Sequence, residues 1–291
     1  MKFFYKILIK LDDFNIIKLN DTQKINLEFK YYFGYKPNLN NPKSFNEKLQ
    51  WLKLNDRKDD YSLLVDKCEV KKIISNLIGE EYIIRTIGIY DNFDEIDFGI
   101  LPNKFVIKCT HDSGGVIICK NKNNLDLKSI KKKINHCLKH NYYLKHREWP
   151  YKNVKPRIII EEYLSDTMND YKFQCFNGKI DSVFVCEGRN TKNGVRYYYF
   201  DSNWNYLNYC DYKDIDNKNF DLLKPKNYDK MVKIVNIICE KFKQVRVDLY
   251  NIDGKIYFGE ITFFTNAGYD TTISKEADLL MGERLILDDE V

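Results

Sequence analysis

The stretch VRVDLYNIDGKIYFGEIT, residues 245–262, constrains the fold more than any other part of this chain. Two apolar, strand-forming runs meet near Asp253-Gly254, a pair that accepts the positive φ angles of a tight hairpin. Each run carries one acid among apolar neighbours: Asp248 between Val247 and Leu249, and Glu260 between Gly259 and Ile261. Carboxylates in such surroundings are costly unless a cation or base meets them. Side chains alternate along a strand, so the length of the turn decides whether the two acids share a face. A three-residue connection, Ile252-Asp253-Gly254 with Gly254 in a left-handed bulge, brings Asp248 and Glu260 together and sets Arg246 across from Glu260. A two-residue turn separates them. We expect the three-residue form, because two converging carboxylates suit Mg²⁺, which takes a few protein oxygens and fills its shell with substrate phosphate. A structural Arg246–Glu260 ion pair is the plainer alternative.

FVIKCTHDSGGVIIC, from Phe105 to Cys119, poses a related problem, since Lys108 ends one apolar run and Gly114-Gly115 opens the next. The plain reading is a hairpin loop with Lys108 reaching to water. The sharper reading is a phosphate grip, made of the loop's backbone N–H groups and one lysine. Strand signals continue through RIIIEEYL and through YKFQCF and KIDSVFVCE, the last two joined at Asn177-Gly178. Ahead of them the chain reads as helical. Ser44 and Glu47 form a capping box, followed by Phe45, Leu49 and Leu52 at helical spacing, and a second helix runs from about Tyr61 to Leu77 and stops at Gly79. Helices are also expected at about 126–145 and 227–242. The pattern is α+β: a helical segment over 1–80, a first lobe with the glycine loop over 81–164, and a second lobe with the paired hairpins over 165–291.

Composition excludes some classes. Hydrophobic residues make up 44% and charged residues 31%, and no apolar run approaches the roughly 20 residues that span a bilayer. The start, MKFFYKILIKLDDF, imitates a signal peptide, yet Lys6 and Lys10 interrupt it and no small-residue cleavage site follows, so a cytoplasmic protein is expected. Eight cysteines without a C-x-x-C pair read as buried thiols in a reducing compartment. His136, Cys137 and His140 could share a helix turn, but no further ligand lies nearby in the sequence. Between Lys120 and Arg147 nine basic residues face one acid, Asp126, which suits phosphate, nucleic acid or an acidic polysaccharide, and equally a solvated helix.

Together these pieces frame a nucleotide: lysine and glycine loop on one side, two carboxylates for magnesium on the other. RIIIEEYL would supply the strand whose backbone edge meets adenine, with Glu162 or Asp170 on the ribose hydroxyls. The order Asp66-Lys67 on a helix, FVIK with HDSGG, IIEEYL, NDYKFQCF, and VDLY with GEIT resembles the ATP-grasp superfamily. SFNEKLQWLK, DKCEVKK, LPNKFVIKCTHDSGG, REWPY and RVDLY resemble its teichuronopeptide-biosynthesis (TupA-like) branch, over about residues 40–270.

The resemblance implies an ATP-grasp fold, two α+β lobes clasping ATP and Mg²⁺, and a ligase. A carboxylate attacks the γ-phosphate, giving ADP and an acyl phosphate, from which an amine displaces phosphate. Lys67 and Lys108 would hold phosphates, Ser113, Gly114 and Gly115 would form the flap, and Glu161, Glu162 and Leu164 the adenine hinge. Asp248 and Glu260 would carry magnesium, and Thr262 stands where the family has asparagine, a hydroxyl being a weaker ligand than an amide carbonyl. Arg246, and after it Arg189, would orient the carboxylate substrate. By the same tie the substrates are a uronic acid of a surface polysaccharide or its precursor and an amino acid, with no nucleic-acid partner. Two other classes stay open: a glycosyltransferase using a sugar nucleotide, which leaves Lys67, Lys108 and the flap unexplained together, and a binder of acidic polymers, which leaves Asp248 and Glu260 without a role.

Overall fold

The computed structural model describes residues 2–166, 169–187, 195–210 and 222–287, so Arg189 lies outside the described residues. The helical lead-in is α1 (Lys2–Asp13), α2 (Asp21–Phe33), α3 (Phe45–Asn55), α4 (Tyr61–Val65) and α5 (Glu69–Ile78). At α3 the Ser44 side chain accepts from the Glu47 amide while Glu47 reaches back, the capping box read from the sequence. Phe45, Leu49 and Leu52 are buried along one face of that helix.

The second expected helix is two. Asp66 leaves helical geometry, and its carboxylate accepts from the Cys68 amide at 2.8 Å and the Glu69 amide at 3.4 Å, so the chain restarts as α5. Asp66-Lys67 therefore sits in a turn between helices and not on a helix. Gly79, at φ 113°, ends α5 where the sequence placed the stop.

Next come β1 (Thr86–Tyr90), β2 (Phe105–Cys109), β3 (Val116–Cys119), α6 (Leu127–Leu138), α7 (Tyr143–His146) and β4 (Ile158–Glu162). After them follow β5 (Asn169–Phe176), β6 (Lys179–Glu187), β7 (Arg196–Phe200), β8 (Tyr206–Leu207), α8 (Tyr228–Cys239), β9 (Gln244–Ile252), β10 (Lys255–Thr262) and α9 (Lys275–Arg284). Two antiparallel sheets result, with orders β1-β4-β2-β3 and β10-β9-β5-β6-β7-β8.

The chain divides into two compact units. One comprises Met1–Arg57, Asn169–Ile256 and Ile261–Val291, the other Lys58–Met168 and Tyr257–Glu260. In the first, α8 packs on β6 and β9, covering Phe173, Cys175, Val245, Val247 and Leu249, all fully buried. Alternation turns Lys172 and Gln174 of β5 and Arg246 and Asp248 of β9 to the other face, where Lys172 is directly opposite Asp248 and Gln174 opposite Arg246. In the second unit, Phe105, Ile107, Ile158 and Ile160 of the small sheet form a core with Ile134 of α6.

Candidate active site

In the second unit the central strand β4 delivers Glu161, only 3% exposed, opposite Val106 of β2. Its carboxylate pairs with Lys108 at 2.5 Å and with Lys71 of α5. Burial alone would raise the Glu161 pKa, but Lys108 and Lys71 outweigh it and hold the group below the usual carboxylate range. Burial pushes Lys71 below its ordinary value, with Glu161 pulling the other way. Lys71 also donates to the Ile84 carbonyl at 2.6 Å and to the Thr86 hydroxyl at 3.1 Å. Lys71, Lys108, Glu161 and Ile84 line a pocket with Lys67 and Gly259.

The glycine loop closes the β2–β3 hairpin, with Lys108 across from Val116. The Lys67 ammonium donates to the Asp112 carbonyl, and the Cys109 amide donates to the Gly115 carbonyl at 3.3 Å. Gly114 holds φ 109°, a conformation L side chains rarely adopt, and a Cβ there would meet open space. Ser113 hydrogen-bonds the Tyr142 hydroxyl, whose pKa is pushed well above its ordinary value by burial first and then by Glu148, with Asp112 and Glu260 adding to it. Glu260 thus lies within electrostatic reach of the flap.

The first unit carries a second charged cluster. Asp248, 1% exposed, receives Arg246 in a fork, Nε to Oδ1 at 2.7 Å and a terminal nitrogen to Oδ2 at 2.8 Å, and pairs with Lys172. Lys172 also meets Asp170 at 2.7 Å. Burial opposes the charge on Asp248, but Arg246 and Lys172 prevail and bring its pKa down to about 2.

The hairpin corrects the sequence reading. Strand β9 runs to Ile252 and β10 starts at Lys255, so the turn is the two residues Asp253 and Gly254, at φ 51° and 92°, and not Ile252-Asp253-Gly254. Two positive-φ residues match the right-handed twist of the strands without a bulge at the turn. Strict alternation from such a turn sets Asp248 and Glu260 on opposite faces. Along β10 the buried residues are Ile256, Phe258 and Ile261, so both faces of the strand are partly covered. Arg246 grips Asp248 on its own strand, where the sequence had suggested a place across from Glu260.

Of the remaining expected residues, Glu162 is exposed, its amide donating to the Arg85 carbonyl at 3.0 Å, and Leu164 and Thr262 are half-buried. Sequence reasoning missed Lys71, Lys172 and Tyr142. Lys71 follows Lys67 by four residues, and Lys172 stands between Tyr171 and Phe173 two residues after Asp170, both readable signals. Tyr142 left none.

A profile of the TupA-like ATPgrasp family matches residues 47–286. No curated protein matches the chain. Among solved structures it is similar to L-amino acid ligase from Bacillus licheniformis (10% identity, 84% of this chain and 57% of that one, TM-score 0.47). It is also similar to D-alanine–D-alanine ligase from Bacillus anthracis complexed with ATP (17% identity, 69% and 55%, TM-score 0.42). It thus spans little more than half the length of either. With the family profile covering most of the sequence, the chain belongs to the TupA-like ATP-grasp family.

Proposed function

We propose that the protein joins the carboxylate of a uronic acid, in a cell-surface polysaccharide or its precursor, to the amine of an amino acid, with ATP as the second substrate. The observation that supports this best is the pocket of Lys67, Lys71, Lys108 and Glu161, in which lysines outnumber the acid. Such a pocket suits phosphate oxygens.

In this reading Lys67 and Lys108 bind phosphates, and Lys71 positions Lys108 through their common carboxylate, Glu161. Ser113, Gly114 and Gly115 cover the phosphates and exclude water, which would otherwise hydrolyse the acyl phosphate. Glu161 to Leu164 supply the adenine edge, with Glu162 or Asp170 on the ribose. Asp248 and Glu260, with Thr262 beside them, would hold magnesium, which supplies charge neutralisation on the phosphates. The donors suit a hard cation once a base gives way: Asp248 is kept ionised, Arg246 and Lys172 cover its oxygens, and Lys172 has Asp170 as a second partner. Arg246, already oriented by Asp248, presents its guanidinium to the incoming carboxylate, with Arg189 as the second choice. The polymer-binding reading has no use for a buried, ionised Asp248.

The test is ADP release measured over a matrix of uronates and amino acids. The expected result is ADP formation that requires both a uronate and an amine. ADP release with simple amino-acid pairs and none with any uronate would overturn the substrate assignment.

A further inference from the structure

We infer that α1 is a membrane-surface anchor, a helix that lies in the interface of an anionic lipid layer. The inference does not depend on the substrate assignment.

At 3.6 residues per turn, Phe3, Ile7 and Phe14 fall within about 40° of one another. Phe14 continues the helix, its amide donating to the Lys10 carbonyl at 3.0 Å. All three are exposed, Phe3 by 77% and Phe14 by 72%, and Phe4 and Ile16, the latter at 68%, extend the apolar stripe. Isolated exposed hydrophobics are ordinary, but several large side chains along one helix face mark an interaction surface.

The helix is fixed with this face outward. On its opposite side Asp12 is buried and pairs with Lys24 of α2 at 3.0 Å, and Asp13 meets the same ammonium at 2.5 Å. Lys24 is itself completely buried and donates to the Ile9 carbonyl at 3.3 Å. A buried cation held by two carboxylates of α1 ties that helix to α2, because breaking it would strand a charge.

Charge selects the occupant. Lys2, Lys6, Lys10 and Lys18 are exposed on or beside α1, whereas its acids are turned to Lys24. Lys2, Lys6 and Lys10 recur every four residues and rim one side of the stripe, where their ammonium groups can reach phosphate headgroups while the phenylalanines enter the acyl boundary. A second copy of this face would bring the same lysines against each other, so an anionic surface fits and self-association does not. Among the described residues no helix is long and apolar enough to cross a membrane, so the contact is interfacial.

The full chain is floated with phosphatidylcholine vesicles, with and without phosphatidylglycerol, and compared with a Phe3→Ser, Ile7→Ser, Phe14→Ser variant and a Lys2→Gln, Lys6→Gln, Lys10→Gln variant. Circular dichroism shows that each is folded. The expected result is binding to the anionic vesicles only, weakened about tenfold or more in the serine variant and made insensitive to salt in the glutamine variant. Three results would overturn the proposal: no flotation of the wild-type chain, equal flotation of the serine variant, or a wild-type dimer in ultracentrifugation that the serine substitutions dissociate.

Discussion

Around Glu161 one carboxylate faces the ammonium groups of Lys71 and Lys108, with Lys67 lining the same pocket; around Asp248 and Asp170 two carboxylates face Lys172 and Arg246. Both clusters bury an ionised acid, and in both the cations overcome a desolvation that works against charge. The difference is the balance. The first holds surplus positive charge and can accept an anion without losing any internal pair. The second is neutral as it stands, so a divalent cation can enter only if a base gives way. One cluster has the charge balance that an anion needs, and the other is a pair of carboxylates guarded by its own counter-ions.

The sharpest way to break this comparison is Asp248→Asn. The substitution keeps the volume but removes the charge that two cations share. Turnover should fall by about a hundredfold or more, with about 3 kcal/mol lost from folding as Arg246 and Lys172 lose their main partner. ADP release at limiting magnesium and urea unfolding check the two parts, and full activity would dissociate Asp248 from the metal.

The next effect is in the lysine pocket. Lys108→Ala should weaken nucleotide binding roughly 10- to 100-fold by calorimetry, with the fold intact because Glu161 keeps Lys71. Lys71→Ala should cost less, and the double variant less than the sum, since both lysines act on one carboxylate. Strict additivity would mean that Glu161 does not link them. Unchanged affinity in Lys108→Ala would remove it from the site.

Much of this was legible in the sequence. Strand-end lysine, glycine loop and buried acids are visible because each violates local apolar patterning. The capping box at Ser44 and the positive-φ turn at Asn177-Gly178 follow from local rules and hold. What could not be read is tertiary. That Asp66 breaks a helix depends on which backbone amides its carboxylate finds, and its tie to Arg157 at 2.8 Å spans 91 positions. DKCEVKK shows Lys67 and Lys71 one helical turn apart, but not that Glu161, far along the chain, joins the second to Lys108. The length of the turn at Asp253 is not fixed by its residues either, since Asp-Gly serves a two-residue turn with both φ positive as readily as a three-residue bulge.

A smaller effect separates the two acids by pH. Both folded-state pKa values are depressed, so each acid contributes stability above its unfolded value of about 4 and loses it as pH falls through the folded one. For Asp248, with its pKa brought down to about 2, the contribution is about 2 kcal/mol, lost mainly between about pH 4 and pH 2. Unfolding free energy measured over that window should fall steeply in the wild type and less steeply in Glu161→Gln. An identical slope would show that Glu161 is not held down by its lysines.

The smallest effect tests the turn itself. Gly254 sits at φ 92°, and a Cβ there would approach the Asn227 side-chain nitrogen to 3.0 Å, a group that already donates to the Gly254 carbonyl at 2.8 Å. Gly254→Ala should therefore cost about 1 kcal/mol in urea unfolding, from the left-handed backbone and the crowding together. Asp253→Gly should cost little, because glycine adopts the left-handed conformation that Asp253 holds at φ 51°. Neither change alters the number of residues in the turn, so neither moves the register of β10 against β9. The magnesium concentration for half-maximal activity should stay where it is in both. If Gly254→Ala instead raised that concentration while leaving stability alone, the conformation of the turn, and not only its length, would be governing where Glu260 stands.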